Sequence, residues 1–200
     1  MKITTTIFVA LLVLLAGCDI PEPAAKWSAA EIDPSLPHQP VYRKLDSLPE
    51  YMSVGDILED KGPLRRSSDV TYLTQKMEDR KDPPRTHTNN CRSYMGQTDT
   101  LRINIGIGSG FGGDGFVILY DNGRFTLRPY HSTDTHWDGE RNPVYLITRQ
   151  SLSLDKVHYQ KGDSLYGHIE FEAREITELS EWVKHHAVGY FRGKLIEYPR

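Results

Sequence analysis

The chain has 200 residues with 38% hydrophobic side chains and a formal net charge of −3, enough apolar material for one packed core and too much for a disordered polymer. It has no basic run, which argues against a nucleic-acid partner. Two cysteines exclude a disulfide-built scaffold.

The first element is the most specific. Residues 1–18, "MKITTTIFVALLVLLAGC", carry one early charge at Lys2 and an apolar stretch from Ile7 to Leu15, far shorter than the roughly 20 residues a spanning helix needs. It has the proportions of a secretory signal peptide. Small residues Ala16 and Gly17 lead into Cys18, and Leu15-Ala16-Gly17-Cys18 resembles the lipobox of bacterial lipoproteins. The resemblance implies cleavage after Gly17, a diacylglycerol thioether on Cys18 and an acylated amino group. The protein would then be held at the periplasmic side of a membrane by lipid alone. Asp19 fits the sorting rule that retains enteric lipoproteins in the inner membrane. Lys2 is the only charged residue removed with the signal peptide, so the mature chain is one unit more acidic. Its single remaining cysteine, Cys91, is either buried and inert or paired with another chain.

Prolines at 21, 23, 34, 37, 40 and 49 favour extended polyproline II and oppose core formation. Residues 18–50 therefore read as a lipidated, disordered tether, with folding from near Tyr51 and a single mainly-β periplasmic domain over 51–200. Val70, Leu73 and Met77 have helical spacing behind Ser67, Ser68 and Asp69, although Val70-Thr71-Tyr72 also suits a strand; Asp82-Pro83-Pro84 ends either.

From Leu101 onward the pattern is β. Leu101, Ile103, Ile105 and Ile107 alternate with less apolar residues, and Gly108, Gly110 and Gly113 spell the G-x-G-x-x-G of a dinucleotide site. That site needs a helix next, whereas Phe116–Tyr120 has strand composition and Asp121-Asn122-Gly123 marks a hairpin. The glycines read as a loop between antiparallel strands, with no nucleotide. After the polar loop "HSTDTHWDGERNP", Val144–Leu154 and Leu165–Phe171 alternate again, and "HAVGYFRGKLIEY" supplies a closing strand, with a helical turn between Ile176 and Val183. Between them, Asp155-Lys156-x-x-Tyr159-x-x-Gly162-Asp163 resembles the strand–turn–strand opening of macroglobulin-type and other immunoglobulin-like sandwich domains. There the Tyr packs over a turn whose Gly takes positive φ. The expected fold is an antiparallel β-sandwich or a strongly bent sheet with one or two short helices.

Candidate chemistry collects in one loop. His131, Asp134, His136 and Asp138 are weak metal candidates, matching no metalloenzyme signature. His185 and His186 would face opposite ways on a strand. Gly108-Ser109-Gly110 lacks the spacing of a nucleophile elbow. No cofactor is implied. Tyr130, Trp137 and Arg141 are large side chains suited to anchoring a protein partner. The reading is a non-catalytic binding or accessory lipoprotein of the cell envelope. The alternatives are an immunity or inhibitor lipoprotein that neutralises a toxin or phage factor, and a metal-dependent enzyme using the His131–Asp138 loop.

Overall fold

The computed structural model describes residues 25–52, 64–76, 82–96, 100–108, 112–134, 143–176 and 182–197. Cys18, Asp19, Met77, His136, Trp137, Asp138 and Arg141 lie outside them. The described strands are β1 (Ser28–Ala29), β2 (Glu31–Ile32), β3 (Thr71–Lys76), β4 (Arg85–His87), β5 (Asn90–Met95), β6 (Leu101–Gly108), β7 (Gly112–Asp121), β8 (Arg124–Thr133), β9 (Val144–Leu154), β10 (Ser164–Ile176) and β11 (Trp182–Glu197). All of them join one hydrogen-bonded sheet. Its main path runs β1-β8-β7-β6-β5-β11-β10-β9-β2, with β3 and β4 branching from β11, and it curls into a nearly closed barrel. The mainly-β expectation holds, and of its two forms the bent sheet describes this topology.

Strand period two builds the core. Phe116, Ile118 and Tyr120 on β7 meet Ile105, Ile103 and Leu101 on β6, and all six are buried. Phe171, Ile169 and Leu165 of β10 close the opposite wall with Phe191 and Ala187 of β11. Burying each large side chain stabilises the fold by about 1.5–3 kcal/mol. Asn122 and Gly123 have φ of 45° and 80°, the primed turn that their Asn-Gly sequence demands.

One long strand serves both halves of the sheet. The first part of β11 pairs β3, and its last residues pair β5 in parallel. Past Gly189, whose φ is +147°, β11 still bonds residues 67–69 through Tyr190, Phe191 and Arg192, and β5 takes over at Leu195. A Cβ at Gly189 would lie 2.7 Å from Val70 Cα, so the close approach of these two backbones needs glycine.

Two expectations are corrected. Residues 71–76 form a strand and not an amphipathic helix, because Tyr72 pairs His87 on β4 and Ala187 on β11, and sheet pairing on both edges outweighs a three-residue helical stripe. The loop expected as a helical turn near 176–183 has Ile176 and Trp182 paired as the last rungs of the β10–β11 hairpin; residues 177–181 lie outside the described set. The tether is also shorter than proline content suggests. Ser28 and Ala29 pair β8, Glu31 and Ile32 pair β9, and α1 (Pro40–Asp46) follows with Pro at its start, where a missing N–H costs nothing. Leu36, Tyr42 and Leu45 are buried. Tyr42 donates its hydroxyl to the carbonyls of Gly167 and Phe191, both at 3.2 Å. The prolines shape this segment, and tertiary contacts hold it.

The Asp155–Asp163 stretch is the strand–turn–strand connection from β9 to β10. Tyr159 donates to Asp155 Oδ1 at 2.7 Å, and that oxygen also accepts from the Tyr166 amide at 2.9 Å. Lys156 reaches Asp163 at 2.7 Å, and Gly162 has φ +88°. Desolvation, reinforced by the hydrogen bond to Asp155, pushes the Tyr159 phenol well above its usual range. Each named residue of the motif is thus spent on the turn.

Candidate functional site at the loop end of the barrel

The strand registers bring four connections to one end of the barrel. Lys76 at the end of β3 stands opposite Val183, Gly108 opposite Gly113, Gly112 opposite Thr133, and Val144 opposite Ile176. The β3–β4, β6–β7, β8–β9 and β10–β11 connections therefore share a rim, the place where barrels and loops commonly carry binding.

Beneath that rim is a cleft of about 380 Å³ lined by Arg85, His87, Ile107, Asp114, His131 and Thr133, among others. Its centre is Asp114. Period two places Asp114 on the same inward face as Phe116 and Ile118, and its register partner on β8 is His131. His131 Nδ1 lies 2.7 Å from Asp114 Oδ1, and His87 Nδ1 lies 3.3 Å from Oδ2. Arg85 approaches Oδ2 at 3.9 Å. The hydrogen bond from His87 is the main reason the Asp114 carboxyl is held far below its ordinary range, with His131 adding to it. Asp114 is therefore the fixed anion of the cleft, and with His87 Nδ1–H donated to it, His87 Nε2 accepts from Thr74 Oγ1 at 2.7 Å.

A second relay lies deeper. Glu175 Oε2 is 2.8 Å from His185 Nε2, and His185 Nδ1 is 2.7 Å from the Tyr72 hydroxyl. In the neutral imidazole, Nε2–H donates to the carboxylate and Nδ1 accepts from tyrosine. Burial pushes the Tyr72 phenol far above its usual range, so that hydroxyl keeps its proton. The Tyr72 ring lies between His87 and His185, with centroids 5.0 and 6.0 Å away.

Thr74, His87 and Asp114 stand in the order hydroxyl–imidazole–carboxylate that activates nucleophiles elsewhere. Here, however, Thr74 is paired on both strand edges, to His185 and Arg85, and it is not on the cleft wall. The arrangement locks β3 and β4 to β7. What the cleft offers outward is the Arg85 guanidinium, the half-exposed His131 ring and the Thr86, Thr88, Ser132 and Thr133 side chains: hydrogen-bonding groups suited to recognition of a polar surface.

The residues singled out in the sequence fall into place unevenly. His131 is in the cleft, and Asp134 is exposed just beyond β8. Among the described residues no group of three or more His, Cys, Asp or Glu is arranged to hold a metal ion. Tyr130 points away from His131, with its hydroxyl oxygen 2.7 Å from where a Gly115 Cβ would stand. Gly106 and Gly115 are register partners, and their bare backbones make room for that ring. His185 is buried while His186 occupies the opposite face. Cys91 is a buried free thiol, and desolvation pushes it up to about 12.

Sequence reasoning passed over His87, Arg85, Asp114, Thr74 and the Tyr72–His185–Glu175 relay. One signal was present: Asp114 is the only charged residue between Arg102 and Asp121, in phase with an apolar strand face. Such a charge needs partners. No protein-family model, curated protein or solved structure matches this chain.

Proposed function

We propose that the chain is a lipid-anchored binding lipoprotein of the bacterial envelope, held at Cys18 on the periplasmic side, in the inner membrane given Asp19, and recognising a protein partner through the loop end of the barrel. The observation that carries this reading is the polar cleft built around Asp114, Arg85 and His131 at the ends of β6, β7 and β8. The cleft has polar groups fixed in place by Asp114, His87 and His131, which suits recognition of a polar surface. Trp137 and Arg141 belong to the connection between β8 and β9 and are proposed as its large contact side chains.

The anchor supports an envelope role. Two or more acyl chains hold a protein stably at a bilayer, and Cys18→Ser removes their attachment site. The test compares capture of envelope proteins by the lipidated chain and by an Arg85→Ala, His131→Ala variant, both exposed positions whose loss leaves the core intact. The reading expects at least a ten-fold loss of capture, about 1.4 kcal/mol, from protein that still folds and unfolds cooperatively. Equal capture by both proteins contradicts it.

A further inference from the structure

The chain that leads to the anchor leaves the barrel along the seam between β8 and β9. Ser28 stands opposite Phe125 on β8, and Glu31 stands opposite Ser153 on β9. Carried back, these registers set Trp27 beside Thr126 on one side and Arg149 on the other. Gln150 confirms the alignment, donating from Nε2 to the Lys26 carbonyl at 2.8 Å and the Ser28 hydroxyl at 2.9 Å. Ile32 packs against the core, so alternation turns Trp27 outward, where it is 37% exposed.

Around this indole the outward positions are basic. Arg124 and Arg128 are exposed and alternate with buried Phe125 and Leu127 on β8; Arg149 and Lys26 are exposed as well. Leu146, 42% exposed, extends the apolar part. Four carboxylates share the region: Glu170 pairs Arg149 at 3.0 Å, Glu172 stands opposite Arg149, Asp121 opposite Arg124 and Glu31 opposite Ser153. Arg174, exposed, stands opposite Leu146, so five cations meet four anions on this face of a chain whose formal charge is −3. Cys18 is only ten residues before Ser28, which limits the separation to about 35 Å at full extension.

We infer that this seam face, with Trp27 at its centre and Arg124, Arg128 and Arg149 around it, rests on an anionic lipid bilayer, laying the barrel side-on to the membrane with its loop end open to the periplasm. The inference rests on the proposed anchor at Cys18. Tryptophan and arginine are suited to such a surface, the indole entering the headgroup region and the cations meeting lipid phosphates.

The test uses the full lipidated protein in vesicles of equal parts phosphatidylethanolamine and phosphatidylglycerol, with and without brominated acyl chains. The Trp27 signal is taken as the emission lost in Trp27→Phe, which separates it from Trp137 and Trp182. Brominated lipid is expected to quench that signal by about half or more, and phosphatidylcholine vesicles or the combined Arg124→Glu, Arg128→Glu, Arg149→Glu change to reduce the quenching at least about two-fold. If the triple variant does not fold, single Arg→Gln changes give the same answer as a graded reduction. Protein that floats with the vesicles but shows no quenching, or equal quenching on neutral lipid, overturns the docking face and leaves the anchor standing. Protein that does not float overturns the anchor, and the docking face with it.

Discussion

Asp114 and His131 face each other as register partners on β7 and β8, with Asp114 Oδ1 2.7 Å from His131 Nδ1. The pair joins the start of β7 to the end of β8, and with His87 it ties both to the β3–β4 hairpin.

Asp114→Asn removes the anion that both imidazoles address. The folded carboxyl titrates below the unfolded one, near 3.9, so its contribution is full above that value and is lost as pH falls through the folded pKa. The variant is expected to be less stable by about 1–2 kcal/mol at neutral pH, allowing for the solvent screening of a partly exposed group. Denaturant titrations from pH 7 down to pH 2 should show the gap from wild type closing below about pH 4. A gap independent of pH contradicts an ionised Asp114.

The β1–β2 segment closes the seam, and its pairing is testable with one residue. Ala30 N–H donates to the Gly123 carbonyl at 2.8 Å. Ala30→Pro deletes that donor between two bridges and is expected to cost about 2–3 kcal/mol and to speed proteolysis near residue 30. An unchanged melting temperature would mean that 25–33 is a tether after all.

Much of the fold was written locally. The Asn122-Gly123 turn and the apolar alternation of β6, β7 and β10 follow from two or three neighbouring residues each. The barrel closure was not, because Ser28 and Glu31 acquire their strand character only from Phe125 and Ser153, about a hundred residues away. Pro34, Pro37 and Pro40 suggested an open chain, yet Pro40 starts α1, and Tyr42 behind it is fixed by carbonyls on β10 and β11. The site was half legible for the same reason. His131 was recognisable as a polar residue beside a loop, whereas His87 sits in an unremarkable "RTHTNN" and meets Asp114 only because β11 carries β3 and β4 to that end.

Two glycines with positive φ should respond differently to alanine. At Gly123, φ +80°, an added Cβ meets nothing within 4 Å, and the cost is the backbone strain alone, about 1 kcal/mol. At Gly189, φ +147°, the Cβ would lie 2.6 Å from the Asp69 carbonyl oxygen and 2.7 Å from Val70 Cα. Gly189→Ala is expected to cost more than about 3 kcal/mol, read by chemical denaturation. Equal costs would contradict the close approach of β11 to Asp69 and Val70 at that residue.

Cys91 is 2% exposed with its thiol pushed up to about 12 by desolvation, so it is inert in the folded protein. In protein bearing the Cys18 modification, thiol reagents at pH 8 should label it only after denaturant is added. Rapid labelling of the native chain would place Cys91 on the surface and reopen pairing with another chain.

Site-specific photocrosslinking in intact cells tests the central claim most directly. A photoreactive side chain at Thr86 or Ser132, on the wall of the Asp114 cleft, is compared with one at Lys161, in the β9–β10 connection at the other end of the barrel. Recognition through the loop end predicts a discrete adduct from Thr86 and Ser132 that disappears in the Arg85→Ala, His131→Ala background. Adducts formed only from Lys161, or none from the cleft positions, would contradict it.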